Sequence, residues 1–147
     1  MMVAVRRADK GDGETIARLL RQAGISDRGV DDHLGHFLIV EEEGSCRTIG
    51  TVGLEIYGDK GLLRSFVMES DAWNGKTGLE LIDVVLSYVR QSELREIYLL
   101  AGIASNIFEH FGFRAVEWRA LPEAISQSVK SRAIRPEEGV PMVYRNS

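Results

Sequence analysis

Two charged residues and one turn are the places in this 147-residue chain where residue types and spacing suit chemistry. Glu55 lies on a strand-like stretch from about Arg47 to Tyr57, where Val52, Leu54 and Ile56 point one way and Thr51, Glu55 and Tyr57 the other. With a hairpin loop at Gly58 to Gly61, Glu55 falls opposite Arg64 on the next strand. A positioned carboxylate can move protons, and a fixed guanidinium can grip a carboxylate in two places. The plainer description of the same pair is a cross-strand salt bridge worth about a few tenths of a kcal/mol. Tyr57 can line the same pocket or simply pack at the strand end.

The turn is Trp73-Asn74-Gly75-Lys76-Thr77-Gly78, which follows an apolar strand, Leu62 to Met68, and opens an amphipathic helix. Backbone N–H groups and the helix dipole at such a turn can hold an anion such as a pyrophosphate. An ordinary loop capping a helix has the same composition. The histidines suggest no metal: His33 and His36 have no Cys or Glu at ligand spacing, and His110 lies on a distant helix. The single cysteine, Cys46, excludes an internal disulfide framework and reads as an incidental thiol between two strands.

These residues need a scaffold, and the chain spells one out. Val3 and Val5 mark a short strand, and Ile16, Leu19, Leu20 and Ala23 mark a helix that Gly24 ends. Phe37 to Val40 is a buried-strand run, which Glu43-Gly44-Ser45 turns into the Glu55 strand, giving a three-strand antiparallel meander. The next helix carries Leu79, Ile82, Leu86 and Val89 on one stripe. Ile97 to Leu100 is a strand, and a short helix with Ile107, Phe108 and Phe111 ends on Gly112 as a left-handed cap. Ala115 to Trp118 reads as a strand, Pro122 to Val129 as a helix and Val140 to Arg145 as a last strand. The expectation is one α/β domain over residues 1–147, with a mixed, mostly antiparallel sheet of six to seven strands and helices on both faces.

Net charge is −4, with no basic run, so nucleic acid is not an expected partner. No stretch approaches the ~20 apolar residues of a membrane span, and Met1 to Lys10 lacks a signal-peptide core. A cytoplasmic protein, monomer or homodimer, is expected.

The order of these elements resembles the GNAT acyltransferase superfamily along almost the whole chain. The closer likeness is to its small amino-acid acetyltransferases, of the N-acetylglutamate synthase and arsenic-resistance ArsN types. The residues carrying it are Gly53-Leu54-Glu55-Ile56-Tyr57-Gly58, Leu62-Leu63-Arg64-Ser65-Phe66-Val67, Ile97-Tyr98-Leu99-Leu100, Phe108-Glu109-His110-Phe111-Gly112-Phe113 and Leu121-Pro122-Glu123-Ala124-Ile125.

The resemblance implies acetyl-CoA as acetyl donor, no metal, and direct transfer to the amine of a small amino-acid-like acceptor. It places the pantetheine arm on the backbone of Phe66, Val67 and Met68, and the pyrophosphate on Asn74, Gly75, Lys76, Thr77, Gly78 and Leu79. Ser105 and Phe108 complete the expected coenzyme contacts. Glu55 is then the first candidate for the base and Glu69, just past the strand, the second, while a water chain can replace either. Arg64 would hold the acceptor's carboxylate, with Tyr57 beside it, and a backbone N–H near Val67 would face the oxyanion.

Two departures stand out. The family turn has Arg or Gln, then Gly three positions on, then Gly or Ala two beyond. From Asn74 those places hold Thr77 and Leu79, and from Gly75 they hold Gly78 and Glu80. Phe108 stands where many members have a tyrosine acid, a place where the amino-acid subgroup commonly has an aromatic without a hydroxyl. These departures motivate the rival reading, a non-catalytic ligand sensor or interaction module. A third reading, transfer to protein N-termini or lysines, requires an open groove.

Overall fold

The computed structural model describes residues 3–68, 75–101, 105–131 and 139–146. Seven strands form one sheet: β1 (Val3–Arg7), β2 (Phe37–Glu42), β3 (Thr48–Tyr57), β4 (Lys60–Met68), β5 (Glu96–Ala101), β6 (Arg114–Ala115) and β7 (Val140–Arg145). Their order is β1-β2-β3-β4-β5-β7-β6. The β1–β2, β2–β3, β5–β7 and β6–β7 pairs are antiparallel, whereas β4 and β5 run parallel. The helices are α1 (Gly13–Gln22), α2 (Gly75–Arg90), α3 (Ser105–His110) and α4 (Glu123–Ser131). This is the mixed α/β sheet expected.

The chain divides into two compact units, Met1–Glu55 with Arg64–Leu86, and Ile56–Leu63 with Ser87–Ser147. In the first, Ile16 and Leu20 of α1 pack with Val30, Phe37 and Ile39, all buried, and Ile25, Leu34 and Val67 lean against this cluster. An Asp9 capping box starts the Lys10–Asp12 3-10 turn that leads into α1. At its other end, the Ile25 N–H donates to the Leu20 carbonyl and the Gly24 N–H to that of Arg21. With Gly24 at φ +72, this is a Schellman cap, and it sends residues 25–30 off the helix axis.

Arg6 grips Asp12 in two places, Nη1 to Oδ2 at 2.8 Å and Nη2 to Oδ1 at 2.9 Å. Hydrogen bonding from Arg6 outweighs burial and lowers the Asp12 carboxyl from 3.8 to about 2. A carboxylate depressed in the folded state stabilises fully above its unfolded value and loses that contribution as pH falls through the folded one. Arg6 is 39% exposed, so solvent screening limits the effect. Asp12→Asn is expected to cost about 1 kcal/mol at neutral pH. In urea titrations the difference from wild type should shrink between about pH 4 and pH 2.

In the second unit, Leu62, Tyr98, Leu121, Ile125, Val129 and Val143 form the core, with Tyr57 and Trp118 packed against it. α3 ends as the Gly112 spacing predicts. The Phe113 N–H reaches the Phe108 carbonyl at 3.0 Å, the Gly112 N–H reaches Glu109 at 3.0 Å, and Gly112 has φ +98.

Three expectations need correction. The strand expected from Ala115 to Trp118 is only Arg114–Ala115. After the Val116 N–H bonds the Pro141 carbonyl at 2.9 Å, the chain coils into a 3-10 turn at Trp118–Ala120, which brings Trp118 to the apolar cluster. The hairpin between β3 and β4 is two residues shorter than expected. Gly58 turns with φ +64, and Lys60 and Gly61 already belong to β4. Leu79 is 44% exposed and off the buried stripe of α2, which is Ile82, Val85, Leu86 and Val89.

Candidate functional site

The charged centre of the first unit is Arg64 on β4. Its Nη1 donates to Glu55 Oε2 at 2.6 Å and to the main-chain oxygen of Arg28 at 2.6 Å. Nη2 donates to the main-chain oxygen of Ser26 at 3.0 Å. The Arg64 side chain is 1% exposed and that of Glu55 2%. The two residues therefore meet as their strand faces predict, and Arg64 divides its donors between Glu55 and two main-chain oxygens. Of the two descriptions open from sequence, the geometry is that of the salt bridge, buried rather than solvated. A pair desolvated to this degree depends on complete hydrogen bonding, because either ion alone would be costly.

What surrounds the pair explains how it is accommodated. The guanidinium carbon lies 6.0 Å from the Phe37 ring centroid. Phe37 pairs with Gly53 across β2 and β3, and a side chain at Gly53 would run into the Phe37 ring. Glycine inside this strand is thus a place where an aromatic ring lies over the backbone. Gly29 approaches from the other side with φ +82, and a Cβ there would sit 3.4 Å from Arg64 Nη1 and 3.9 Å from Glu55 Oε2. Sequence reading passed over the Ser26 and Arg28 carbonyls and Gly29. The one available signal was the glycine in Ser26-Asp27-Arg28-Gly29.

The other predicted residues fall as follows. Thr51, on the Glu55 side of β3, donates its hydroxyl to the Leu38 carbonyl at 2.9 Å and is buried. Tyr57 packs against the second unit's apolar cluster. Phe66, Val67 and Met68 are the last three residues of β4, and Val67 leans on the first unit's core. Gly75, Lys76, Thr77 and Gly78 form the first turn of α2 rather than a preceding loop, and no acidic side chain stands in that turn. Ser105 opens α3, and the Phe108 ring stands edge-on to Phe113 at 5.8 Å. Glu69 and Asn74 lie outside the described residues.

The pairing of β4 determines what its backbone can do. Its parallel register with β5 runs Lys60↔Glu96, Gly61↔Ile97 and Leu62↔Tyr98. β4 then continues to Met68 with no further β5 partner among the described residues. α2 begins at Gly75, and the N–H groups of its first four residues have no helical acceptor.

A polar cleft of about 690 Å³ in the second unit, lined among others by Lys60, Arg90, Glu96 and Arg145, is a different kind of place. Burial pushes the Glu96 carboxyl up, but hydrogen bonds from Arg145, Tyr98 and Lys60 outweigh it and hold it down. Among the described residues no three His, Cys, Asp or Glu side chains are grouped to hold a metal ion. No helix among them is long and apolar enough to cross a membrane.

No protein-family model matches the chain. It is 27% identical over 150 residues to the uncharacterized protein YwlB of Bacillus subtilis, spanning all of this chain and 99% of YwlB. Among solved structures it is similar to N-acetylglutamate synthase from Neisseria gonorrhoeae, a complex with coenzyme A and N-acetyl-glutamate. There the TM-score is 0.78 with 23% identity over the whole of this chain, which spans only 36% of the synthase chain. A GNAT-family acetyltransferase from Staphylococcus aureus matches with a TM-score of 0.73 and 15% identity, covering 99% of this chain and all of that one. The fold is that of the GNAT acetyltransferases.

Proposed function

We propose that this chain is an acetyl-CoA-dependent N-acetyltransferase that moves an acetyl group directly to the amine of a small, amino-acid-like acceptor. The observation that carries the reading is the junction of β4 and α2. A strand end with no β5 partner among the described residues is followed within seven residues by a helix that starts on glycine and has no acid in its first turn. Acetyl-CoA is suited to both parts, because its pantetheine amides can add to a strand edge and its pyrophosphate can take helix N–H groups. Gly75 and Gly78 have no Cβ to hold the phosphates off. Bound there, the coenzyme supplies an activated thioester.

The chain's own residues supply the rest. In this reading the Val67 N–H donates to the oxygen that becomes negative as the acceptor amine adds to the carbonyl. The ammonium must first lose a proton. Glu55 is a poor base for this, because Arg64 holds it and solvent scarcely reaches it. The role passes to Glu69, next after β4, or to water. Phe108 has no proton to give, and its edge-on contact with Phe113 is packing. A thiolate is a fairly good leaving group at neutral pH, so the chain would not need to supply that proton.

Titration calorimetry of acetyl-CoA and of free CoA tests the reading. Binding with a Kd in the micromolar range is expected, followed by thiol release when the twenty amino acids are screened as acceptors. No heat with either ligand up to millimolar concentration would reject it. The second reading, a non-catalytic binding module, draws on Phe108. It predicts CoA binding without thiol release.

A further inference from the structure

We infer that Arg64 is a positioning residue: braced by Glu55, its guanidinium fixes the main chain at Ser26 and Arg28, and so sets residues 25–30 as one wall of the acceptor site. The inference rests on the acetyltransferase reading. Three observations lead to it. First, both terminal nitrogens of Arg64 are occupied by protein, Nη1 by Glu55 and the Arg28 carbonyl and Nη2 by the Ser26 carbonyl. Two main-chain oxygens stand where the two oxygens of a bound carboxylate would stand on the fork.

Second, several other ties within this segment are local. Arg21 meets Asp27 at 3.0 Å on the surface, the Arg28 N–H meets the Ser26 hydroxyl at 3.2 Å, and the Val30 N–H meets the Asp27 carbonyl at 3.3 Å. The Arg64 bonds reach across the sequence to a strand, over 36 and 38 residues. Gly29 holds φ +82 within this segment, a conformation that a side chain would strain.

Third, the segment shares its apolar support with the end of β4. Ile25 leans on the same apolar cluster as Val67, whose N–H faces the reacting carbonyl in that reading. Arg64 precedes Val67 by three strand residues, about 10 Å, which is longer than a small amino acid. An acceptor beside Val67 would not reach the guanidinium, whose side chain is 1% exposed and whose terminal nitrogens face Glu55, Ser26 and Arg28.

The test uses the full chain with Glu55→Met/Arg64→Met, which removes both charges together and keeps the volume filled, so that it can fold where either single variant fails. Amide exchange over residues 25–30 should accelerate at least about tenfold while residues 37–42 stay protected. The Kd for acetyl-CoA should stay within about twofold. The KM for the amino acid that wild type acetylates best should rise about tenfold, with kcat little changed. Arg64→Lys restores a charge beside Glu55 but has no fork for two carbonyls, so exchange should remain fast. Unaltered exchange over 25–30 in the double variant would overturn the inference. A raised KM with unaltered exchange would overturn it too, by making Arg64 a direct acceptor ligand. If wild type binds no acetyl-CoA, or releases no thiol with any amino acid, the acetyltransferase reading fails. The exchange result still decides whether Arg64 holds the segment.

Discussion

Arg64→Ala is expected to destabilise the fold by about 3–5 kcal/mol, the largest effect of any single substitution considered. The cost has a definite origin. The Glu55 carboxylate, with its side chain 2% exposed, would be left without its cation, and the Ser26 and Arg28 carbonyls would each lose a donor. Glu55→Ala should cost a similar amount, because it strands the guanidinium instead. Together the two changes should cost much less than the sum. In the Glu55→Met/Arg64→Met protein no charge is left to be desolvated, and the remaining penalty is that of two unpaired carbonyls. Denaturant midpoints for wild type, Glu55→Met, Arg64→Met and the Glu55→Met/Arg64→Met protein form a complete cycle. Near-additive losses would show that the pair is solvated in solution and worth only what a surface bridge is worth.

That pair also marks where sequence reading stops. That Glu55 and Arg64 share a face follows from strand alternation and survives an error of two residues in the turn. The shorter turn sets Glu55 opposite Leu62 and leaves Arg64 to reach it diagonally. Gly58 takes φ +64, so that Lys60 and Gly61 extend β4. Shortening the loop by two residues leaves every side chain on its own face, because strand side chains alternate with a period of two. The Gly112 cap was legible for a similar reason, since its Schellman bonds and the Phe108–Phe113 contact are encoded within six consecutive residues. The partners of the guanidinium were not legible. They are main-chain carbonyls more than thirty residues away, on a segment with no regular hydrogen-bond pattern, and a carbonyl belongs to every residue type. Nothing in Ser26 or Arg28 announces that role. The short β6 is a third case. A run that reads as a strand up to Trp118 loses its ladder after Val116, where the chain coils and Trp118 packs against the second unit's apolar cluster instead.

Gly78→Leu should move stability and coenzyme affinity in opposite directions, which makes it the sharpest test of the proposed phosphate turn. Gly78 is the fourth residue of α2, already helical, so leucine improves helix propensity there by roughly 0.8 kcal/mol. The folded state should hold or gain stability. Affinity for acetyl-CoA should nonetheless fall at least about tenfold, a loss of about 1.4 kcal/mol. In the proposed reading a phosphate oxygen lies against the backbone N–H of this turn, and a side chain at the glycine keeps it away. Gly75→Pro gives an independent check. Proline is well tolerated at the first helical position, so the helix should persist while one phosphate donor is lost. Thermal midpoints and calorimetric Kd values for the two variants separate the outcomes. If both bind acetyl-CoA as wild type does, the first turn of α2 is only a helix start, and the coenzyme, if held at all, is held by the strand edge of β4 alone. If both weaken while the protein stays folded, the departures of this turn from the family pattern are substitutions its backbone donors tolerate. The reason would be physical: main-chain N–H groups hold the phosphates, and residue type matters only where it would block them.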